Sequence, residues 1–527
     1  MNVVNLLMDR VQGMPDATAI IDYRGGKPRT LSFEELDRSA GQLAALLRQT
    51  GLQTGETVLI LCPMSAELYL MLAAIFRLGL VALFLDPSTP REQLESSLKG
   101  RLPRALFGGR AVQAWRWFNP MLRRIPFSFC TAAGIPGTIP IRSAARLEPL
   151  SEIAACSNET PALITFTSGT GSQPKAALRT HGFLRAQLEA LNACIRYTPG
   201  ETDLATLPIF VLANLASGLT SLIPDVNLRR PERANPRRLC ELIAFHNATQ
   251  IGGSPTLLGN LADHCLDQNR SLPGLKQVHA GGGPVLPQLL DKLRRCAPNA
   301  EISAVYGSTE AEPIACLGLG DIDPADRQAT LSGRGLLVGT PVDSLQLRIL
   351  SDRWGKPIGP FTAADFAADC HPPGVSGEIV VSGNHVLSGY LDPADDKETK
   401  FEVDSRRWHR TGDAGYLDHR GRLWLLGRCS GAVPFDGQTI YPFAIEQVAR
   451  QHPQVRNAAL VVVHGQRTLA VEPHHRRVDP AQFAGLVDRL PLAGVQQIRV
   501  VRKIPVDRRH NAKIDYIALR SLLEGQR

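Results

Sequence analysis

The sequence lacks several patterns that would assign its 527 residues to a familiar class of protein. Its ten cysteines are scattered without a C-x-x-C pair, which argues against a disulfide framework or a structural zinc site and suits a reducing compartment. Neither a G-x-S-x-G elbow nor an H-E-x-x-H pair occurs, which disfavours an esterase and a metallohydrolase. The adjacent His474 and His475 are predicted to lie on a solvated turn.

Long apolar runs are also missing. The most apolar segment, residues 58–85, is interrupted by Pro63, Glu67 and Arg77 well short of the ~20 residues that a membrane span needs. The first residues carry an acid early and have no basic start, unlike a secretory signal peptide. We therefore expect a cytoplasmic protein with no transmembrane segment.

Charge of one sign is only in mild excess. Lys and Arg number 58 against 50 Asp and Glu, a formal net charge of +8. Spread over this length, the excess favours anionic ligands without requiring nucleic acid, and we expect no nucleic-acid partner. A hydrophobic fraction of 44% and a charged fraction of 20% are typical of a soluble globular protein.

Apolar β-rich runs alternate with helical stretches through most of the chain. The order strand, helix, strand over residues 58–85 predicts a parallel, doubly wound sheet, and short strands with turns follow from about residue 340. The predicted fold class is α/β. We expect a large N-terminal domain over 1–428, with parallel-type α/β subdomains and a β-rich part at about 340–428. A linker near 428–436 then leads into a small, mobile α+β C-terminal domain within 429–527.

The stretch from Thr167 to Lys175, TSGTGSQPK, follows a predicted buried strand and precedes a helix. Its backbone N–H groups and hydroxyl side chains could face phosphate oxygens, and its lysine adds a positive charge. The spacing does not fit G-x-x-x-x-G-K-[ST], which disfavours a P-loop NTPase. Taken alone, the stretch fits a polar surface turn equally well.

A second stretch, VYGSTE, ends an apolar run. Tyr306 offers a flat face for a base, Thr309 a hydroxyl for a phosphate and Glu310 a hard oxygen ligand for Mg²⁺. Taken alone, a tyrosine at a strand end before a glycine turn is usually structural.

Two more stretches lie further along the chain. Asp413, at a glycine turn, and Arg428 could hold the hydroxyls of one ribose, although singly an Asx turn and a solvated charge are the commoner explanations. Lys513 follows a loop near the end of the sequence, where an isolated lysine is usually a surface residue.

Together and in this order, the four stretches resemble the adenylate-forming superfamily of acyl-CoA synthetases, aryl-acid ligases, luciferases and peptide-synthetase adenylation domains. The resemblance covers nearly the whole chain and implies an AMP-dependent ligase that uses ATP, Mg²⁺ and a small-molecule carboxylic acid. It implies catalytic roles for Lys513, Glu310 and Thr309, with Glu310 also the metal ligand. The residues implied to bind the nucleotide are Thr167, Ser168, Gly169, Thr170, Gly171, Ser172, Lys175, Gly281, Gly282, Gly283, Pro284, Tyr306, Gly307, Ser308, Asp413 and Arg428. The acyl pocket is implied to include Phe210 and Val211.

The chain departs from the usual family pattern at four places. In the phosphate loop, Gly171 and Ser172 replace a Thr-Gly pair without changing the content of glycine and hydroxyl groups. Gly431 stands at the hinge position, where glycine permits rotation, and Ala512 replaces the glycine before the catalytic lysine. Val211 replaces a frequent histidine and makes the mouth of the acyl pocket less polar.

Three blocks, beginning DLATLPIF, RRWHRTGD and VDRRHNAK, resemble the olefin β-lactone synthetases within this superfamily. This resemblance implies that a long-chain or 3-hydroxy fatty acid is activated to an acyl-adenylate and then closed to a β-lactone, with partner enzymes of a lipid or olefin pathway. Two alternatives stay open. One is an acyl-CoA synthetase or acyl-AMP ligase that passes the acyl group to CoA or to a carrier-protein thiol. The other is a non-catalytic nucleotide-binding homologue.

A separate stretch, residues 111–127, interleaves aromatic residues with arginines. It could dock on a lipid surface or a partner, but Pro120 and Pro126 break any long amphipathic helix. We favour an insertion folded onto the N-terminal domain.

Overall fold

The computed structural model describes residues 1–85, 95, 97–98, 102–167, 175–228, 230–475, 479–483, 485–486, 490, 494–506 and 514–525. Its strands are β1 Thr18–Arg24, β2 Lys27–Ser32, β3 Thr57–Leu61, β4 Val81–Phe84, β5 Ala105–Gly108, β6 Phe127–Cys130, β7 Ile139–Pro140, β8 Pro161–Thr167, β9 Lys175–Thr180, β10 Thr202–Ala205, β11 Thr220–Leu222, β12 Gln250–Gly253, β13 Gln277–Gly281, β14 Glu301–Ser308, β15 Ala311–Gly318, β16 Leu336–Pro341, β17 Leu345–Leu350, β18 Gly377–Gly383, β19 Lys400–Val403, β20 Arg406–Leu417, β21 Leu423–Arg428, β22 Val433–Phe435, β23 Gln438–Ile440, β24 Val455–Val463, β25 Gln466–Pro473 and β26 Gln497–Val500. Its helices are α1 Asn5–Gly13, α2 Phe33–Gln49, α3 Ala66–Arg77, α4 Arg110–Phe118, α5 Pro120–Arg123, α6 His181–Ile195, α7 Pro208–Ser217, α8 Pro236–Phe245, α9 Pro255–Asp267, α10 Pro287–Cys296, α11 Pro324–Leu331, α12 Ala363–Asp369, α13 Pro442–Ala449 and α14 Tyr516–Gly525.

One sheet is parallel except at its last strand. Its order is β7-β6-β5-β3-β4-β8-β9, and β9 returns antiparallel to β8. Strands β3 and β4 with the intervening α3 form the predicted strand, helix, strand unit. Helix α3 is apolar almost all round and its residues are buried, as expected for a helix enclosed between a sheet and other helices.

A second, larger sheet changes character along its width. Strands β1, β11, β10, β12, β13 and β14 pair in parallel, whereas β14 to β16 and β17 to β21 pair antiparallel. The short strands predicted after residue 340 are β17, β18 and β21. The mixed α/β fold with this β-rich part confirms the predicted fold class.

The last hundred residues form a small α+β unit. Strands β24, β25 and β26 make a three-stranded sheet that packs against α13 and α14 around buried residues such as Leu460 and Leu469. The segment predicted as a linker contains a 3₁₀ turn, Cys429–Gly431, and then β22, which pairs with β23 in a hairpin. The predicted linker therefore has regular structure, because β22 pairs with the strand β23 that follows it.

One cysteine pair departs from the expectation of unpaired thiols. Cys194 at the end of α6 and Cys316 on β15 form a disulfide with their Cα atoms 6.3 Å apart. They are 122 residues apart in the sequence, so no local motif could reveal them. In the described part of the chain, no helix combines the length and apolar composition needed to cross a bilayer.

Candidate functional site

The predicted ribose-binding residues form one hydrogen-bonded cluster. Strands β20 and β21 are antiparallel neighbours, and their register places Asp413 directly opposite Arg428. The Asp413 carboxylate accepts a hydrogen bond from Arg428 Nη1 at 2.8 Å and another from the Tyr306 hydroxyl at 2.7 Å. The fifteen residues from Asp413 to Arg428 thus form a hairpin that brings the two residues next to each other.

Burial and neighbouring charges determine the protonation of Arg428 and Tyr306 in this cluster. The Asp413 carboxylate raises the pKa of Arg428, and burial, reinforced by the same carboxylate, raises the pKa of Tyr306 far above its ordinary value. The Tyr306 hydroxyl therefore stays protonated and donates. A carboxylate has about four lone-pair sites, so Asp413 keeps capacity to accept from sugar hydroxyls.

A second cluster surrounds Glu310, in the turn between β14 and β15. Glu310 Oε1 accepts a hydrogen bond from the Tyr390 hydroxyl at 2.8 Å, and the Glu310 backbone carbonyl accepts from the Leu387 N–H at 2.6 Å. Neighbouring Thr309 is held through its carbonyl by Arg179 Nη2 at 2.9 Å. The carboxylate is thereby held by an uncharged donor, which leaves its negative charge available to a cation.

Two ammonium groups lie against the ring of Tyr390. The Nζ atoms of Lys175 and Lys400 lie 5.5 Å and 5.6 Å from its centroid, within cation–π range. Lys175 opens β9 and pairs in register with Thr167, and its Nζ also contacts Glu398 at 3.6 Å. One aromatic ring thus connects the end of the predicted phosphate loop with the predicted metal ligand.

Lys400 is the buried cation of this cluster. It is buried, its Nζ donates to the Leu387 carbonyl, and desolvation lowers its pKa to about 7 against the opposing charges of Glu310 and Asp396. Neutral and charged forms are therefore both populated near neutrality.

The residues predicted to bind adenine and the acyl group lie at or beside the ends of neighbouring strands. Gly281 ends β13 in register with Val305 of β14, and Gly282 has a left-handed φ of +78°, which glycine adopts freely. On the adjacent β12, a Cβ built on Gly252 would lie 2.6 Å from Phe210 Cε2, so the ring occupies space that only glycine leaves free. Phe210 therefore lies beside the strand ends that carry the other candidates.

The remaining candidates divide into three groups. Gly283, Pro284, Gly307 and Ser308 lie in or beside the same strand-end turns, and the Ser308 hydroxyl accepts from the Glu310 N–H at 3.3 Å. Val211 is fully buried in the N-terminal core, so its contact with a substrate stays a prediction. Residues 168–174, the side chain of Thr167 and Lys513 lie outside the described residues, and their roles also stay predictions.

Tyr390 and Lys400 were not predicted from the sequence. Tyr390 follows a serine and a glycine after the buried strand β18, and it belongs to none of the four sequence motifs. Nothing in the sequence distinguishes Lys400 from a solvated lysine, because its burial comes from β19 pairing with β20.

In the stretch 111–127, α4 packs on the N-terminal core through Val112 and Trp115. Trp117 and Phe118 at its end remain 48% and 79% exposed.

Comparison with known proteins assigns the family. The family described as AMP-binding enzyme matches residues 7–391. The chain is 32% identical to an olefin beta-lactone synthetase of Stenotrophomonas maltophilia over 511 residues, covering 92% of this chain and 90% of that protein. It is 27% identical to a 2-succinylbenzoate–CoA ligase of Bacillus subtilis, covering 86% and 84% of the two chains.

Solved structures share the fold. The amide bond synthetase McbA from Marinactinospora thermotolerans superposes with a TM-score of 0.79 at 23% identity over 99% of both chains. The o-succinylbenzoate CoA synthetase of Bacillus subtilis, in complex with an acyl-adenylate, gives 0.78 at 22% identity over 99% and 98%. The fold, with its large N-terminal and smaller C-terminal domains, is thus shared with both of these structures. The chain belongs to the AMP-binding enzyme family and is an adenylate-forming enzyme.

Proposed function

We propose that the protein uses ATP to activate a long-chain or 3-hydroxy fatty acid and then closes the acyl-adenylate to a β-lactone. The observation that carries the nucleotide part is the cluster of Asp413, Tyr306 and Arg428, because it presents a carboxylate where strand ends and glycine turns meet. The second half is supported by identities of 32% and 31% to two olefin beta-lactone synthetases over 92% of the chain.

The first step joins two anions. A carboxylate oxygen of the acid attacks the α-phosphorus of ATP, the new P–O bond forms, the bond to the β-phosphate breaks, and pyrophosphate leaves. Asp413 and Arg428 would orient the ribose, and Lys175 and Lys513 would offset the phosphate charge.

Glu310 fits a magnesium ligand, because Mg²⁺ is usually held by one or two carboxylates together with substrate phosphates. When bound, Mg²⁺ would neutralise part of the triphosphate charge. The described residues contain no group of three or more His, Cys, Asp or Glu side chains placed to hold a metal.

In the second step, the 3-hydroxyl oxygen of the substrate attacks its own activated carbonyl carbon. The ring C–O bond forms, the bond to AMP breaks and the hydroxyl proton is released. A free thiol such as CoA would instead give a thioester, the product of the alternative acyl-CoA synthetase.

The decisive experiment measures pyrophosphate release with carboxylic acids that vary in chain length and 3-hydroxylation, with and without CoA. Mass spectrometry then identifies the product. We expect a β-lactone and AMP from 3-hydroxy acids without CoA. If a product forms only when CoA is added, and that product is an acyl-CoA, lactonisation is contradicted. If no acid gives pyrophosphate, the non-catalytic homologue is favoured.

Lys513→Ala tests the role implied for the C-terminal lysine. We expect adenylate formation to fall about a hundredfold or more, because a donor to the developing phosphoryl charge is lost, while ATP binding is nearly unchanged. Lys503→Ala is the matched control, because Lys503 is exposed in the same small domain. Equal turnover by the two variants would show that Lys513 has no catalytic part.

A further inference from the structure

An apolar cavity lies on the side of α7 that faces away from β12. Its volume is ≈ 80 Å³, and it is bounded by α7, α6, α3 and the start of the chain, with Leu7, Phe76, Leu188 and Leu212 among its lining residues. At about 10–15 Å³ for each water-sized group, it has room for roughly five to eight groups of methylene size.

Helix α7 separates this cavity from the candidate site. Ile209, Leu212, Ala213 and Ala216 recur at the helical spacing and line the cavity, whereas Phe210 points to Gly252 on β12. The cavity and the predicted acyl position are therefore two faces of one helix. Leu215 also lines the cavity, and two of these five α7 side chains are alanines, which leaves the space open.

Two polar side chains, Tyr69 and Gln187, line the cavity, and the Tyr69 hydroxyl donates to the Pro208 carbonyl at 3.2 Å. Gln187 differs from Tyr69. It is 1% exposed, and its Oε1 has no hydrogen-bond partner among the described residues. A buried polar atom without a partner is uncommon in a closed core. Replacing this side chain with leucine would cost no protein hydrogen bond at Oε1 and would make the wall fully aliphatic there.

We propose that this cavity holds the distal part of an aliphatic chain of the acid substrate, an assignment that rests on the proposed function. A chain that leaves the reacting carboxylate beside Phe210 would pass along α7 and end between α1, α3 and α6. Chain length would then be measured by the depth of this cavity.

Filling the cavity tests the proposal. Ala213→Leu and Ala73→Leu add methyl groups from opposite walls, since both alanines are buried lining residues. We expect kcat/KM for pyrophosphate release to fall roughly fourfold for each methylene excluded, so about tenfold or more for the longest chains. Short acids should change less than twofold. Ala145→Leu, on the exposed surface, is the control for adding a leucine side chain.

Gln187→Leu should act in the opposite direction and raise kcat/KM for long unsubstituted chains at least twofold. An unchanged chain-length profile in all three cavity variants would overturn the proposal. If the wild-type protein releases no pyrophosphate with any acid, the proposed function fails, and calorimetric binding of 1-hexanol decides the cavity separately. Loss of that binding in Ala213→Leu supports the cavity, and equal binding by both proteins rejects it.

Charge distribution carries a second, independent inference. Residues 101–147 contain eight arginines and neither Asp nor Glu, so the rest of the chain balances 50 basic against 50 acidic residues. Among the described arginines of this segment, Arg104 is the one that pairs with a carboxylate, Glu56, at 3.4 Å. The whole formal excess of the protein therefore lies in one short segment.

Exposed aromatic side chains accompany this charge. We define the basic–aromatic patch as five exposed residues on or directly after the consecutive helices α4 and α5, namely Arg110, Trp117, Phe118, Arg123 and Arg124. Large exposed apolar side chains beside cations are typical of surfaces that lie in the headgroup region of an anionic bilayer. We infer that the basic–aromatic patch binds anionic lipid surfaces.

Vesicle flotation tests this inference. The full chain should float with vesicles containing phosphatidylglycerol and not with pure phosphatidylcholine, and high salt should release it. Trp117→Ser with Phe118→Ser should weaken binding about tenfold or more, because two apolar anchors are lost. Phe245→Ser is the matched control, since Phe245 is 72% exposed elsewhere on the surface. Equal loss in the control, no flotation, or patch-dependent binding to duplex DNA or RNA instead of vesicles would each overturn the inference.

Discussion

At the scale of single residues, Tyr390 connects the parts of the candidate site. Its hydroxyl donates to Glu310, 80 residues away in the sequence, and its ring is in cation–π contact with the ammonium groups of Lys175 and Lys400. Burial and the Glu310 charge raise its pKa, so the hydroxyl remains a donor throughout the physiological range. The position of the Glu310 carboxylate thus depends on a residue outside the four sequence motifs.

Tyr390→Phe should therefore weaken the use of magnesium more than the use of the acid. We expect kcat/KM for Mg·ATP to fall about tenfold or more, because the charged Glu310 carboxylate loses the hydrogen bond that the Tyr390 hydroxyl donates to it. Tyr416→Phe, which removes a hydroxyl that donates to the Arg334 carbonyl, should have little effect. Pyrophosphate release titrated with Mg²⁺ measures both, and identical titrations would contradict the positioning role.

Lys400 gives a pH-dependent stability. Its pKa of about 7 in the folded state lies below the ordinary value near 10.4 of an unfolded chain. Between these values the unfolded state binds more protons, so the contribution of Lys400 to folding stability rises with pH, by up to about 1.4 kcal/mol per pH unit. It is smallest below pH 7 and constant again above about pH 10.4.

Lys400→Met removes this titration. We expect the free energy of unfolding of the wild-type protein, relative to the variant, to increase from pH 7 to pH 9. Urea denaturation at several pH values measures the difference, in which the other titrating groups largely cancel. A constant difference would show that Lys400 is charged in the folded protein throughout this range.

At the scale of elements, β20 connects the stability of the β-rich part to the cluster of Asp413, Tyr306 and Arg428. The strand carries Asp413 and, three residues earlier, Arg410, whose side chain is 1% exposed and pairs with the fully buried Glu378 of β18 at 2.6 Å. The Arg410 guanidinium also donates to the Lys356 and Glu398 carbonyls at 2.6 Å and 3.1 Å. A single buried cation therefore fixes the strand that carries Asp413, the carboxylate predicted to bind the ribose.

Arg410→Met should destabilise the protein by about 3–5 kcal/mol, because it leaves the Glu378 carboxylate buried without its partner. Arg38→Met is the matched control, since its pair with Glu34 is solvent-exposed and should contribute less than about 1 kcal/mol. Urea unfolding measures both. Equal small losses would mean that Glu378 is neutral or hydrated in the folded state.

At the scale of the whole molecule, Gly431 lies where the chain passes from the large unit into the small C-terminal unit. A Cβ at this position would lie 3.6 Å from Pro442 and 3.8 Å from Tyr516, which is ordinary contact distance. Gln451 of the small unit also donates to the Leu331 carbonyl of the large unit at 2.7 Å. We propose that rotation about Gly431 moves the segment that carries Lys513 between the two half-reactions.

Gly431→Pro should impair this rotation, because proline fixes φ near −65°. We expect overall turnover to fall about tenfold relative to Gly431→Ala, while the ATP dissociation constant stays the same. The alanine variant is the control, since the described conformation accommodates its methyl group. Equal turnover by the two variants would rule out a hinge at this residue.

The sequence by itself determined the order of elements, because alternating apolar runs and short glycine turns act over a few residues. Its four motifs, taken in their order along the chain, indicated the family. The family resemblance also assigned Asp413 and Arg428 to one ribose, and the register of β20 with β21 places these two residues opposite each other. Only the tertiary structure decided that Tyr390 holds Glu310, that Lys400 is buried, and that Cys194 meets Cys316. These contacts join segments many residues apart, and their existence depends on how sheets and helices pack, which no local pattern records.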